Sequence, residues 1–257
     1  MFGLEQQLFD QMARLKEEYD LQGIKAEFEA EGSSFRDLVR LRRITDKLNI
    51  PLILKIGGVE ALRDIKDSLE IGVDGLIGPM AESPFGLKKF ADGVGSIYKN
   101  KPIHRSINIE TQGAVSQIDK ILEFAQGRIE NITVGRTDLS SSYFDKAVTP
   151  DSEFIFDVLE NLGVKIAEAG LTMTVGGSVS KKSVDLFRRN EKKWQGLILR
   201  LETRKVILPF EMMIKKDAIK EALRFEELYI LSKKEFSDLF METETSRLTR
   251  LKMRSLK

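Results

Sequence analysis

The chain has no cysteine, a single histidine, a single tryptophan and six prolines in 257 residues. The lack of cysteine excludes disulfides, thiolate metal sites and a thiol nucleophile, and it fits a reducing compartment. With only one histidine besides, a structural zinc site has too few ligands to form. No run of about 18 apolar residues occurs, so no transmembrane span is expected. The first residues carry Glu5, Asp10, Glu17, Glu18 and Asp20 and show no apolar run with basic flanks, which excludes a signal peptide or anchor there. Charge of one sign is missing too. Lys+Arg is 41 against Asp+Glu 40, and a net charge of +1 gives no global attraction to nucleic acid or to an anionic membrane. The expectation is a cytoplasmic protein with neither of those partners, whose interactions are local.

What is present is a regular alternation of short β-branched runs with amphipathic stretches. Leu4, Leu8, Met12 and Leu15 recur at helical spacing over residues 3–19. Residues 24–29 then alternate with period two, with Ile24, Ala26 and Phe28 on one face and Lys25, Glu27 and Glu29 on the other. Ser33 or Ser34 caps the next helix, and Pro51 opens the strand Leu52 to Ile56. Further strands are expected at 74–80, 103–110, 131–136, 172–177 and 197–201, with helical patterns between them and a long loop from Thr137 to Asp151. At this length the alternation predicts a single α/β domain, a (β/α)8 TIM barrel with an N-terminal helix and a C-terminal helical extension. Residues 1–22 are the N-terminal helix, 23–210 the barrel and 211–257 the C-terminal helical segment. The eighth strand does not fit the pattern. Arg204 to Leu208 has strand character, yet only Glu202 and Thr203 separate it from strand seven, and a parallel crossover takes about a dozen residues or more. Residues 197–208 are therefore one bent strand, or the barrel closes in another way.

Period two also fixes an unusual interior. If Glu110 points inward, so do Asn108, Ser106 and His104, and the same face elsewhere carries Lys25, Glu27, Glu29, Lys55, Thr172, Thr174, Arg200 and Glu202. Barrel interiors are usually filled by Val, Ile and Leu. Buried charges cost several kcal/mol per ion unless paired, so these groups must meet one another, water or a ligand. Interior ion pairs without a catalytic role remain an alternative for Lys25, Glu27, Arg200 and Glu202.

In a parallel α/β fold, ligands bind at the carboxyl ends of the strands, and two of these ends carry acids, Glu110 and Asp138. Carboxylates with hydroxyl and backbone oxygens nearby suit a hard divalent cation, Mg²⁺ or Mn²⁺, which keeps water or substrate oxygens in its other positions. Such a cation can chelate a 2-oxoacid and stabilise the enolate formed when a carbon–carbon bond is made or broken.

Ile109-Glu110-Thr111 with Gly113, followed by Val134-Gly135-Arg136-Thr137-Asp138-Leu139-Ser140, resembles the paired motifs of the HpcH/HpaI aldolase and citrate lyase β-subunit family, in the phosphoenolpyruvate/pyruvate barrel superfamily. The resemblance covers roughly residues 23–180 and implies that Glu110 and Asp138 are the metal ligands. Gly78-Pro79-Met80-Ala81-Glu82-Ser83 is similar to the family's Pro-x-x-Glu segment, and Lys55 stands where the family has a substrate-gripping arginine. Two departures are visible. The aldolase branch reads Asp-x-Glu-His after its first strand, whereas this chain reads Glu27-Phe28-Glu29-Ala30-Glu31, without the histidine. Lysine for arginine at position 55 replaces a bidentate fork by a point charge. A lysine desolvated there could titrate near neutrality and act as acid, base or Schiff-base former, or it could be paired to Glu29 or Glu82. His104 falls near the opposite end of its strand and is expected to be structural.

The expected function is that of a metal-dependent aldolase or lyase acting on a small acidic substrate, a 2-oxoacid or an acyl thioester. Glu110 and Asp138 would hold the cation, Lys55, Gly135, Arg136 and Thr137 the anionic part, and Glu29, Glu82 and Lys55 would transfer protons. A barrel that binds an acidic metabolite without cleaving it, or one that uses phosphoenolpyruvate, is the alternative. Homo-oligomers are implied by the family resemblance, with the C-terminal helical segment a candidate for subunit exchange.

Overall fold

In the computed structural model, which describes residues 3–215 and 218–255, eight strands close into a barrel in chain order. Helix α1 (Gly3–Tyr19) buries Leu8, Met12, Leu15 and Tyr19 as one apolar stripe. The chain turns at Asp20, which adopts φ 54°, into β1 (Gly23–Glu27), buried along its whole length. Helix α2 (Phe35–Lys47) begins at a capping box in which Ser34 Oγ accepts from Asp37 N and the Asp37 carboxylate accepts from Ser34 N. Next come β2 (Leu52–Lys55), α3 (Leu62–Ile71), β3 (Gly75–Gly78) and α4 (Pro84–Tyr98). Gly72, in the left-handed region, ends α3, and Ser83 caps α4 ahead of a proline in its first turn.

Strand β4 (His104–Ile109) leads through the Thr111 cap to α5 (Gln112–Ser116) and α6 (Ile118–Ala125). Strand β5 (Asn131–Gly135) runs directly into α7 (Arg136–Ser141), so the segment expected to be a loop from Thr137 opens with helix instead. Then follow α8 (Glu153–Glu168), β6 (Thr172–Gly176), α9 (Lys181–Arg189) and α10 (Glu191–Trp194).

The alternation breaks after β7 (Arg200–Glu202). Thr203, Arg204 and Lys205 turn the chain straight into β8 (Val206–Pro209), which lies antiparallel to β7, with Arg200 opposite Pro209, and antiparallel to β1, with Gly23 opposite Ile207. Neither form of the sequence expectation was complete. A hairpin closes the barrel and needs no crossover helix, which accounts for the short spacing. It also leaves Pro209 beside the start of β7, at the amino ends of the other strands. Helix α11 (Phe210–Lys215) starts there. Helix α12 (Ala218–Ser255) packs on α1, where Gln11 and Arg14 both reach the Glu221 carboxylate, and it brings Leu223 and Glu226 to the carboxyl ends of the strands. No described helix is long and apolar enough to cross a membrane.

The core lies between barrel and helices. Ile24, Leu54, Leu76, Ile107, Val134, Val175 and Leu201 face outward and are fully buried, each such side chain contributing about 1.5–3 kcal/mol. The inward residues are polar, as the period-two reading requires: Lys25, Glu27, Lys55, Ser106, Asn108, Asn131, Thr133, Thr174 and Glu202 are all buried. Lys25 shows how this is tolerated. Burial opposes its charge, but Glu202 at 2.6 Å and Glu27 at 3.4 Å outweigh burial and push its pKa up to about 12.

Candidate active site

A cleft of about 440 Å³ opens at the carboxyl ends of the strands. Glu29, Lys55, Met80, Asn108, Glu110, Gly135, Thr137 and Asp138 come to it from the ends of β1 to β5, while Ser178, Val179, Arg204, Leu223 and Glu226 form the remaining wall. Glu110, the residue after β4, is buried, and each of its oxygens is placed by one donor: Met80 N gives to Oε1 and Asn108 Nδ2 to Oε2, both at 3.0 Å. Met80 makes its bond from a left-handed backbone, φ 49°, and Ser178 across the cleft has φ 52°. Non-glycine residues in this region cost energy, and two of them bordering one cleft mark it as a place where geometry is imposed.

Lys55 lies between two acids. Its Nζ is 2.9 Å from Glu29 and 3.8 Å from Glu110. Burial lowers its pKa, but Glu110, Glu29 and Glu27 overcome that and the net shift is upward. Lys55 is therefore an ammonium at neutral pH, which corrects the idea that it titrates there and leaves it poorly suited to a Schiff base, since that needs a free amine. Glu110 is shifted the other way from an ordinary paired carboxylate. Burial raises its pKa and Asp138 adds to this, against the opposing effects of Lys55, Met80 N and Asn108. Asp138, in the first turn of α7, is exposed on the cleft wall, and among the described residues its carboxylate has no hydrogen-bond or ion-pair partner.

Three residues stand elsewhere. Glu82 is exposed and off the cleft wall, because the chain turns away after Met80; its carbonyl accepts from Gln117. Arg136, expected to hold substrate, is fully buried and turned away from the cleft. Its guanidinium donates to the carbonyls of Gly176, Pro150 and Gly177, to Asp151 at 2.9 Å and to Ser183. It anchors loops. His104 opens β4 at the far end of the barrel, as expected. The residues that sequence reasoning missed are Arg204, Leu223 and Glu226, which arrive through the hairpin and α12.

Among the described residues, no group of three or more His, Asp or Glu side chains gathers as a metal site. The cleft nevertheless offers what a hard cation sharing its shell with substrate requires. Glu110 and Asp138 line it together, and Asn108 Oδ1, beside Glu110, is a buried acceptor without a partner among the described residues. Six carboxylates, Glu27, Glu29, Glu110, Asp138, Glu202 and Glu226, line it against three cations, Lys25, Lys55 and Arg204. An acidic substrate entering this cleft alone would meet an excess of like charge, and a divalent cation relieves it. These residues fit the group.

Gly135 is the close neighbour that this arrangement demands. A Cβ there would lie 2.6 Å from Glu110 Oε2 and 3.1 Å from its Cβ. Gly135→Ala is expected to displace the Glu110 carboxylate while the barrel stays folded. Unfolding within about 1–3 kcal/mol of wild type, with metal affinity lowered at least tenfold by calorimetry, is the expected pair of results.

No protein-family model matches the sequence, and no curated protein matches it. Solved structures do match the fold. The HpcH/HpaI aldolase from Desulfitobacterium hafniense DCB-2 is 17% identical with TM-score 0.60, the match covering 76% of this chain and 82% of that one. A HpcH/HpaI aldolase/citrate lyase family protein from Burkholderia cenocepacia J2315 is 13% identical with TM-score 0.55, over 66% and 80% of the two chains. The citrate synthase SbnG is 16% identical with TM-score 0.56, over 84% and 85%. The chain thus has the α/β barrel of HpcH/HpaI-type aldolases, and at these identities the likeness shows the fold alone.

Proposed function

We propose that this protein is a divalent-metal-dependent carbon–carbon lyase or aldolase acting on a 2-oxoacid of the pyruvate or oxaloacetate type, or on an acyl thioester. The observation that carries this is one cleft in which Asp138, without a hydrogen-bond or ion-pair partner among the described residues, and the buried Glu110 line the same wall as the Lys55 ammonium. Glu110 and Asp138 would hold Mg²⁺ or Mn²⁺, which supplies neutralisation of the enolate charge that develops when the carbon–carbon bond is made or broken. Lys55 holds its proton and offers a fixed positive charge to the substrate carboxylate. Glu29, on its other side at 2.9 Å, is partly exposed at the cleft, so it is placed for the proton-transfer role left open by the missing histidine. Gly135 and Thr137 line the wall next to Asp138, where the anionic part of the substrate would lie.

The test is turnover of oxaloacetate and a panel of 4-hydroxy-2-oxoacid adducts. Activity is expected to disappear with a chelator, return with Mn²⁺ or Mg²⁺, and persist in His104→Ala. Absence of metal-dependent turnover across the panel would overturn the reading. Because the chain's one histidine lies at the opposite end of the barrel, a binding-only barrel is the second reading. Metal-dependent oxoacid binding with no turnover would favour it.

A further inference from the structure

A second cavity of about 230 Å³ lies under the cleft, at the amino ends of the strands. Thr133 and Glu202 wall both spaces, so together they form the floor of one and the roof of the other. Each acid lining the lower cavity is already committed. Glu202 holds Lys25 at 2.6 Å, and Asp74 takes Arg42 at 2.6 Å and Leu52 N at 2.8 Å. The cation is not. Arg200, the first residue of β7, shares the inward face with Glu202, is half-buried, and among the described residues has no hydrogen bond and no carboxylate within 4.0 Å. The other inward or buried cations, Lys25, Lys55, Arg136 and Lys205, each have one. His104 beside Arg200 adds no negative charge; its pKa is pushed down by burial, and Arg200 is among the charges that lower it.

The lower cavity thus presents one unpaired guanidinium in a chamber with an apolar side made by Ile53, Ile77, Ile207 and Pro51 and a neutral polar side that includes Gln22, Ser106, Asn131, Thr133 and Thr174. A cation would find no free acid there, and a neutral ligand would leave the guanidinium desolvated without a partner. The planar fork of arginine matches a carboxylate bidentately. Arg200 is the one arginine or lysine of the lining, so a second negative charge on the ligand would find no counter-charge there. We propose that this cavity binds a small aliphatic monocarboxylate, with its carboxylate on Arg200 and its hydrocarbon against Ile53, Ile77 and Ile207. The site shares only Thr133 and Glu202 with the cleft and differs from it in chemistry.

Amide NMR of the full chain titrated with butyrate tests this. Saturable shifts are expected at Gln22, Ile53, His104 and Ile207, unchanged in Asp138→Asn, weakened at least tenfold in Arg200→Lys and lost in Arg200→Met. Inorganic phosphate, which has the charge without the hydrocarbon, is expected to bind at least tenfold more weakly. Shifts confined to the cleft at Gly135 and Thr137, equal affinity in Arg200→Lys, or phosphate binding as tightly as butyrate would each overturn the proposal. Arg200→Lys keeps the charge and decides the question should Arg200→Met fail to fold.

Discussion

Mn²⁺ and oxalate together are expected to stabilise the wild-type protein against heat, and Asp138→Asn is expected to abolish that stabilisation. Oxalate presents two coplanar oxygens as the enolate of pyruvate does, and it cannot react. Ligand at about 100 times Kd adds about 2.7 kcal/mol of stability. At roughly 2–4 °C per kcal/mol for a chain of this size, the wild-type Tm should rise by roughly 5–10 °C. Asparagine keeps the volume of Asp138 and removes the charge. Because the Asp138 carboxylate has no hydrogen-bond or ion-pair partner among the described residues and is exposed, the unliganded stability should stay within about 0.5 kcal/mol of wild type. This separates the site from the scaffold: the variant folds as well and responds to nothing. A shift that needs both components and vanishes in the variant would support the metal–oxoacid centre. A variant that keeps the shift would remove Asp138 from the site, and no shift in either protein would count against a metal enzyme.

The residues legible in the sequence are those whose position follows from strand period. Asn108 on β4 and Glu110 just past its end keep the alternation toward the interior, and Lys55 ends β2 with the same orientation, so all three line the cleft. Extrapolation failed where a helix starts directly after the strand. Gly135 closes β5, and Arg136 is already the first residue of α7, where the direction of the side chain follows helical geometry and no longer the pleat. Glu82 failed for a related reason, since a left-handed residue at Met80 redirects the chain ahead of it. The hairpin between β7 and β8 was hidden by the rule that parallel strands need long connections, which holds for seven of these strands and not for the eighth. Arg204 was therefore assigned to a strand, although it lies in a turn over the cleft. Leu223 and Glu226 belong to a helix whose pattern reads as surface until the barrel that it crosses is known.

Arg136→Met should lower stability by about 3–5 kcal/mol, the cost of breaking a buried ion pair from one side. The side chain is fully buried, and its removal takes away the counter-charge of Asp151, which keeps only the Ser183 hydroxyl as a side-chain partner among the described residues, and leaves the carbonyls of Pro150, Gly176 and Gly177 without this donor. Burial pushes the Arg136 pKa down and Asp151 partly offsets this, but a guanidinium remains charged in either case. Urea unfolding should show a lower midpoint at unchanged m, and Arg136→Met with Asp151→Asn should lose less than the two single changes added, because the orphaned charge is gone. The same experiment decides between anchoring and substrate binding. Gly177, at φ 78°, has backbone so close to α7 that a Cβ would lie 2.5 Å from Thr137 N and 2.6 Å from Arg136 N, and Arg136 ties this junction to the Pro150–Asp151 segment. An anchoring role predicts a large stability loss at any ligand concentration, with the oxalate response weakened only in proportion to the loosening of Thr137 and Asp138. A substrate-binding role predicts the reverse: unfolding close to wild type and loss of the oxalate response with metal affinity retained. The five hydrogen bonds made by the guanidinium, none of them to a group that lines the cleft with its side chain, put the expected result in the first class.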